Sequence, residues 1–393
     1  MLIGIVGKPS CGKSTFFKAA TLADVLIANY PFATIKPNHA IGYVKIDCIE
    51  EEFEVKCNPQ KGYCKKSKRF VPVDLFDVAG LIEGSSEGKG LGNQFLDDLA
   101  GADALIHIID VSGETDSEGK ETKGYNPIED VKMLERELDL WYLGILKKVW
   151  RTFSRTIQNT KQDFAKAVAK QFSGLKVGED DIRKVVLKLK YESEKPNEWS
   201  DEQLFAFAHE LRCVSKPMII AANKIDKENS RINFDNLKNA YPELIIVPCS
   251  AEAELALREA DKHGLVDYIP GESDFEIKGE LNEKQKNALE KIKLLLREYK
   301  SSGVQEVLNK VVFDLLKYIA VFPAGANKLT DSKGNVLPDC FLLPEGSTAL
   351  DFAYTIHTDL GKNFIKAIDA RTKQAVGKEY KVKHRDALEI VTR

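Results

Sequence analysis

Gly7-Lys8-Pro9-Ser10-Cys11-Gly12-Lys13-Ser14-Thr15 matches the pattern G-x-x-x-x-G-K-[ST] in full. Before it, Leu2-Ile3-Gly4-Ile5-Val6 is the short apolar run of a buried parallel strand. After it, Phe16-Phe17-Lys18-Ala19-Ala20 starts a helix. A phosphate is a large anion that the chain must wrap closely without a Cβ in the way, and Gly7 and Gly12 supply that backbone. The turn then aims successive N–H groups inward, and the helix adds the positive end of its dipole. Residues Gly7 to Thr15 are therefore the expected phosphate cradle. Lys13 is expected to reach the β- and γ-phosphates and Ser14 to ligate Mg²⁺ through its hydroxyl. A chance match in a glycine-containing turn is the competing reading, and the flanking strand and helix argue against it.

The 393-residue chain has room for two or three domains with cores of their own. Hydrophobic residues at 43% and charged residues at 30% describe a soluble folded protein rather than a disordered one. A net charge of −3 says nothing about partners, so any basic footprint is local. No apolar run approaches the length that spans a bilayer, and the N-terminus runs straight into a strand. The expectation is a cytoplasmic protein with no membrane partner. Its seven scattered cysteines fit reduced thiols in that compartment. Cys48, Cys57 and Cys64 do fall close together, but they lack the C-x₂₋₄-C knuckle of most zinc sites. Only His39 stands nearby as a fourth ligand. The stretch reads first as a long loop joining two strands, with a metal site as the lesser reading.

Beyond the first helix, Asn29 to Asn38 contains prolines that stop any helix. Thr34 within it suggests a nucleotide-sensing switch whose hydroxyl joins the Mg²⁺ shell. Ala40 to Cys48 reads as a strand, and Phe70 to Phe76 as another that ends in Asp77-Val78-Ala79-Gly80. Asp77 is placed to hold Mg²⁺, and the Gly80 N–H to bond the γ-phosphate. Five glycines between Gly80 and Gly92 make a segment that only a ligand would order. Leu81 stands where many GTPases place the Gln that orients the attacking water, so slow intrinsic hydrolysis is expected. Ala104 to Val111 is a further buried strand, in which His107 reads as packed rather than catalytic.

From Gly113 to Lys216 the pattern turns helical, with Val131, Leu134, Leu138, Trp141, Ile145, Val149 and Trp150 forming a stripe. Lys147 to Lys190 holds twelve Lys or Arg against four acids, which is either a nucleic-acid-facing surface or a solvated helical face. Pro217 to Ala222 returns to the sheet and delivers Asn223-Lys224-Ile225-Asp226. The Asp226 carboxylate can accept two parallel bonds from guanine N1–H and its 2-amino group, a donor pair adenine lacks. Asn223 is expected to tie this loop to the P-loop and the Lys224 stem to pack on the base. After a short strand at Leu244 to Val247, Ser250-Ala251 places an N–H for guanine O6. Glu252 to Leu316 again reads as helical, with Val304 to Leu308 closing the nucleotide domain.

In this order the motifs resemble a translation-factor-type P-loop GTPase. The glycine-rich stretch from Gly80 to Leu96, with Tyr30-Pro31-Phe32 and Pro37-Asn38 before it, resembles the Obg/YchF branch. The helical insertion is similar to that of YchF. Leu343-Pro344-Glu345-Gly346-Ser347-Thr348 and Asp351 to Leu360 look like a TGS domain, a small β-grasp module also found in threonyl-tRNA and stringent-response synthetases. The resemblance covers nearly the whole chain and implies a link to RNA or ribosomes. Lys366, Arg371, Lys373, Lys378, Lys381, Lys383 and Arg385 give that module a basic bias which permits RNA contact. His357 falls in a packing motif of the family. Three positions bear on the comparison. YchF proteins usually carry Glu, which accompanies ATP preference, where this chain has Asp226. Ser10 replaces an Asn linked to potassium-stimulated hydrolysis, whereas Leu81 agrees with the family.

The reading is an α/β protein: a P-loop GTPase domain over 1–113 and 217–320, an α-helical insertion over 114–216, and a C-terminal β-grasp (TGS) domain over 321–393. The expected function is a GTP-hydrolysing switch on ribosomes or RNA, using GTP/GDP and Mg²⁺, with DNA not expected. Lys13, Thr34 and Gly80 would carry catalysis, and Ser14, Thr34 and Asp77 the metal. The phosphate cradle, Asp77, Gly80, Asn223, Lys224, Asp226, Ser250 and Ala251 would hold the nucleotide. Three alternatives stand beside it: a YchF-like ATPase, a nucleotide-gated protein scaffold without RNA contact, and a less supported small-molecule kinase.

Overall fold

The computed structural model describes residues 1–21, 39–78, 84, 99–325, 329–331 and 333–393. The first half of the nucleotide domain is built from β1 (Leu2–Val6), α1 (Lys13–Thr21), β2 (His39–Asp47), β3 (Tyr63–Lys65), β4 (Lys68–Asp77) and β5 (Ala104–Asp110). β5 is buried at every position, as a parallel strand covered on both faces must be. Four helices follow: α2 (Ile128–Thr160), α3 (Phe164–Gln171), α4 (Glu179–Leu189) and α5 (Asp201–Ser215). The chain then re-enters the sheet with β6 (Met218–Asn223), α6 (Ser230–Ala240), β7 (Ile245–Pro248) and α7 (Ala251–Lys262). The sheet order is β2-β4-β1-β5-β6-β7, parallel except that β2 pairs with β4 antiparallel, as does β3 off this path. Register sets Ile5 beside Asp77 and Asp110 beside Asn223, so β1, β4, β5 and β6 end at one edge. Ligands of open α/β sheets bind outside that carboxyl edge.

The apolar stripe of the insertion lies on α2, a single helix of 33 residues. Its first turns pack Leu134 and Leu138 on β1, β4 and β5 residues. Its later turns give Tyr142, Leu146, Trp150 and Ile157 to a separate core with α3, α4 and α5. Trp199 packs on Phe207, Trp150 and Phe164 there, with ring centroids 5.1, 5.4 and 5.4 Å apart. Offset and edge-on aromatic contacts of this kind add to the burial itself.

Two stretches expected to be helical are not. Residues 113–127 form a looped segment closed by a Thr115–Glu121 bridge, with positive φ at Gly113, Gly119 and Gly124. Within 252–316, the hairpin β8 (Val266–Tyr268) and β9 (Phe275–Ile277) interrupts the helices α7, α8 (Glu283–Tyr299) and α9 (Val304–Asn309). Gly264 and Gly271 adopt positive φ on either side of β8, which ends helical continuity where composition alone favours it. A π-helical turn, Lys310–Leu315, leads into β10 (Tyr318–Pro323).

β10 opens the C-terminal sheet with β11 (Phe341–Pro344), β12 (Phe364–Asp369), β13 (Ala375–Val376) and β14 (Ala387–Thr392), in the order β11-β10-β14-β12-β13. β10 and β14 pair in parallel, and their other neighbours are antiparallel. α10 (Ala349–Ile356) is capped by Thr348, whose hydroxyl accepts from the Asp351 N–H, and it buries Phe352 against Val321, Leu343 and Leu388. His357 caps α11 (Thr358–Lys362) through Nδ1, which accepts from the Asp359 N–H at 3.1 Å. This is a structural role.

Candidate nucleotide site

The P-loop leaves β1 at Val6 and returns as α1 at Lys13. Gly12 has φ of +91°, and a Cβ there would lie 2.2 Å from Asn223 Nδ2. A Cβ at Gly7 would meet the Ile108 carbonyl oxygen at 2.6 Å. Both glycines are thus required by the packing of the loop on β5 and β6. Gly12 O accepts from Phe16 N–H at 2.9 Å, so the amides before Phe16 face the turn rather than the helix. Cys11 is fully buried, and that burial pushes its thiol up to about 12. It packs; it does not react.

Lys13 Nζ lies 2.6 Å from Asp77 Oδ1, and Ser14 Oγ lies 3.5 Å from Asp77 Oδ2. The P-loop cation, its hydroxyl and the β4 carboxylate therefore meet at one point. Thr15 is half-buried behind them. Thr34, Gly80 and Leu81 lie outside the described residues. Of the glycine-rich stretch, Gly84 is described, and its N–H donates to Glu137 Oε1 on α2 at 2.8 Å.

The Asn223 side chain bridges two loops. Its Nδ2 donates to the Cys11 carbonyl at 2.8 Å, and its Oδ1 accepts from the Ala251 N–H at 3.0 Å. The amide assigned to guanine O6 is thus engaged with Asn223, and Ser250 caps α7 by accepting from the Ala253 N–H at 3.3 Å. Asp226 is exposed, with no ion pair to any described residue.

Two lysines have partners the sequence did not suggest. Lys224, at φ of +64°, places Nζ 2.7 Å from Asp110 Oδ2. Asp110 also accepts from Ser112 and Thr115 hydroxyls, at 2.5 and 2.7 Å. Burial raises its pKa, but Lys224 and these two hydroxyls together hold it below the ordinary carboxylate value. Lys8 is 1% exposed; its Nζ donates to the Thr115 carbonyl at 2.8 Å and lies 3.0 Å from Asp130 Oδ2. It also sits 4.0 Å from the Tyr125 ring centre. Lys8 therefore offers the cradle its backbone and turns its charge away, into residues 115–130. Asp110, Thr115 and Asp130 were missed because nothing in their local sequence marks them; a buried lysine within a phosphate loop is the only signal. His107 is buried, and burial followed by the nearby Lys8 charge lowers its pKa to about 3, so the ring is neutral and packed.

A β1–P-loop–α1 unit facing an Asn-Lys-x-Asp loop, followed by a β-grasp sheet, defines a P-loop GTPase-type protein with a C-terminal TGS domain. Three family models agree: a 50S ribosome-binding GTPase over residues 2–139, the G4 motif-containing domain of YGR210-like Obg-like GTPases over 221–325, and the TGS domain over 323–392. An uncharacterized GTP-binding protein of Methanocaldococcus jannaschii is 47% identical over 394 residues, covering 100% of this chain and 99% of that one. The chain belongs to the Obg/YchF family of GTP-binding proteins. A crystal structure of a GTP-binding protein from Pyrococcus horikoshii OT3 covers 100% of both chains at 41% identity, with a TM-score of 0.80. The ribosome-binding ATPase YchF of Bacillus subtilis is 29% identical, covering 93% of this chain and 87% of that one.

Proposed function

We propose that the chain is a Mg²⁺-dependent GTPase whose nucleotide state controls its contact with ribosomes or RNA. The observation that supports the guanine reading is the Asn223 bridge, which ties the Asn223–Asp226 loop to the P-loop carbonyl of Cys11 while Asp226 stays exposed. Two donors on the guanine edge suit one carboxylate; adenine has no equivalent pair. Ser14 and Asp77 are hard oxygen donors 3.5 Å apart, the chemistry Mg²⁺ selects. When bound, the ion neutralises charge on the transferring phosphate. Lys13, released from Asp77, supplies the second cation to those oxygens, while Thr34 and Gly80 are assigned the remaining switch contacts. With Leu81 in place of a water-orienting Gln, intrinsic turnover is slow.

The polynucleotide reading is supported by the insertion. All twelve basic residues between Lys147 and Lys190 are exposed. Five of them pair with carboxylates: Lys147, Lys176, Arg183, Lys184 and Lys188. Among the described residues, Lys148, Arg151, Arg155, Lys161, Lys166, Lys170 and Lys190 have no carboxylate partner. Lys148, Arg151 and Arg155 recur on one face of α2, ahead of a groove of about 1180 Å³ lined by Lys161, Arg183, Leu187 and Lys190. Phosphate contacts made by such a surface weaken steeply with salt.

A second reading, an ATPase, is favoured by the name of the Bacillus subtilis relative and opposed by Asp226. Comparing GDP with ADP affinity separates the two. Co-sedimentation with ribosomes and their subunits, without nucleotide, with GDP and with a non-hydrolysable GTP analogue, tests the partner. Pelleting strongest with the analogue and lost with rising salt is expected. Equal pelleting in all three states removes the switch, and no pelleting at low salt removes the ribosome and points to a protein partner.

A further inference from the structure

Between β2 and β3 the chain gathers three thiols and a carboxylate. Cys48 follows β2, Glu50 and Cys57 lie in the connection, and Cys64 is the middle residue of β3. Both flanks lie against the start of β4: the Cys48 N–H donates to Ser67 O at 2.8 Å, and Cys64 is in register with Arg69. Sequence separations that exclude a zinc knuckle are thereby closed in space. One donor atom from each of Cys48, Glu50, Cys57 and Cys64 lies within 4.8 Å of the other three. His39, the fourth ligand suggested by proximity in sequence, is at the opposite end of β2, stacked on Phe76 at 5.4 Å. Glu50 takes that place.

The spacing fits a tetrahedral ion. Cys48 Sγ and Cys57 Sγ are 3.8 Å apart. A disulfide would bring them to about 2.05 Å. Zinc–sulfur bonds of about 2.3 Å at the tetrahedral angle separate two sulfurs by about 3.8 Å. The mixed edge also agrees: Cys64 Sγ lies 3.5 Å from Glu50 Oε1. Bonds of about 2.3 Å to sulfur and about 2.0 Å to oxygen give a sulfur–oxygen edge of about 3.5 Å. Glu50 Oε2 accepts the Cys57 N–H at 2.9 Å, which orients the carboxylate and leaves Oε1 toward the thiols. Among the described residues no lysine or arginine pairs with Glu50, so a buried carboxylate beside three thiols lacks its cation. Thiolate donors select zinc over the hard cations.

We propose that Cys48, Glu50, Cys57 and Cys64 hold one zinc ion in a closed, structural site. Four protein ligands leave no position for substrate. The ion would fix the connection on which the C-terminal part of the chain rests. From that connection Asn58 N–H donates to Val336 O and Gln60 N–H to Pro338 O, each at 2.8 Å, while Glu52 pairs with Arg371 and Arg385.

The full chain, produced in zinc-supplemented medium, should carry about one zinc per molecule by elemental analysis. Exchange for Co²⁺ should give thiolate-to-cobalt charge-transfer absorption and tetrahedral d–d bands. Cys64→Ser and Glu50→Gln should each bind zinc at least about tenfold more weakly. Cys213→Ser, in the insertion, should keep it. Wild-type protein that folds and binds GDP without zinc, with all seven thiols titratable and no cobalt charge-transfer band, overturns the proposal. Zinc retained by a Cys57→Ser/Cys64→Ser double variant overturns it as well. The metal content and cobalt spectrum of the wild type decide the matter even where a variant does not fold.

Discussion

Asp226 stands at the end of a loop anchored by Asn223, which is bonded to both Cys11 O and Ala251 N, and by the Ile225 N–H, which donates to Cys249 O. A carboxylate held this way can be replaced without disturbing the loop, which makes base selection testable apart from folding. Asp226→Asn substitutes an amide nitrogen for one acceptor oxygen, and that nitrogen faces a guanine donor. Loss of one charge-assisted bond and misdirection of the other is expected to weaken GDP binding on the order of a hundredfold. ADP affinity should barely change, and calorimetric titration of both nucleotides checks it. Comparable GDP affinity in the variant would remove Asp226 from base recognition. Spacing alone singled out Lys13, Ser14, Asp77 and Asn223, and the fold brings the first three together and bonds Asn223 to the P-loop. Lys8 and Lys224 were legible as positions but not as roles. Their charges are committed to Thr115, Asp130 and Asp110, each about a hundred residues away in the sequence.

Among the elements, α2 joins the two parts of the molecule that the switch reading needs to connect. Glu137 on its first half accepts from Gly84 of the glycine-rich stretch, and its second half carries the basic face. α5 is fastened to α2 by polar contacts as well as by the aromatic core. His209 Nδ1 lies 2.8 Å from Asp139 Oδ2, and Arg212 Nε donates to Asp139 Oδ1 at 2.9 Å. The Asp139 contact, then that of Cys213, raises the His209 pKa from 6.5 to about 10. A histidine whose pKa rises on folding contributes stability that is complete below its unfolded value and lost as pH climbs through its folded value. The insertion is therefore expected to weaken between about pH 6.5 and about 10, modestly, because the ring is 42% exposed to screening solvent. Urea unfolding across that window should show a slope in the wild type that is reduced in His209→Gln; equal slopes would discount the pair. Periodicity made the α2 stripe readable from Val131 to Trp150, since a helix repeats its buried face every three to four residues. The β8–β9 hairpin was hidden by the same rule. Strands of three residues are too short to display a period, and Lys, Glu and Leu on both sides favour helix.

Across the whole molecule, the nucleotide domain and the β-grasp sheet are joined through a crossing segment at residues 335–340, held from beneath by Arg69. Arg69 is fully buried on β4, and its two terminal nitrogens donate to Leu337 O and Pro338 O, each at 3.1 Å. Leu337 sits at φ of +44°, a conformation disfavoured for a side chain with a Cβ and stable only while its surroundings enforce it. The guanidinium fork is one such restraint, and no other side chain presents two parallel donors at that spacing. Arg69→Met keeps much of the volume but leaves the buried Leu337 carbonyl without its donor and Pro338 O with the Gln60 N–H alone. The expected loss is on the order of 2 kcal/mol, concentrated in the seating of the C-terminal sheet rather than in the P-loop. Calorimetry should resolve an earlier transition for that sheet, and trypsin should cut more readily between residues 325 and 340, while GDP affinity stays near the wild-type value. Arg69→Lys, which keeps the charge but has no fork, should fall between the two. A single unfolding transition at the wild-type temperature in Arg69→Met would mean that Glu52, with Arg371 and Arg385, suffices to seat the module.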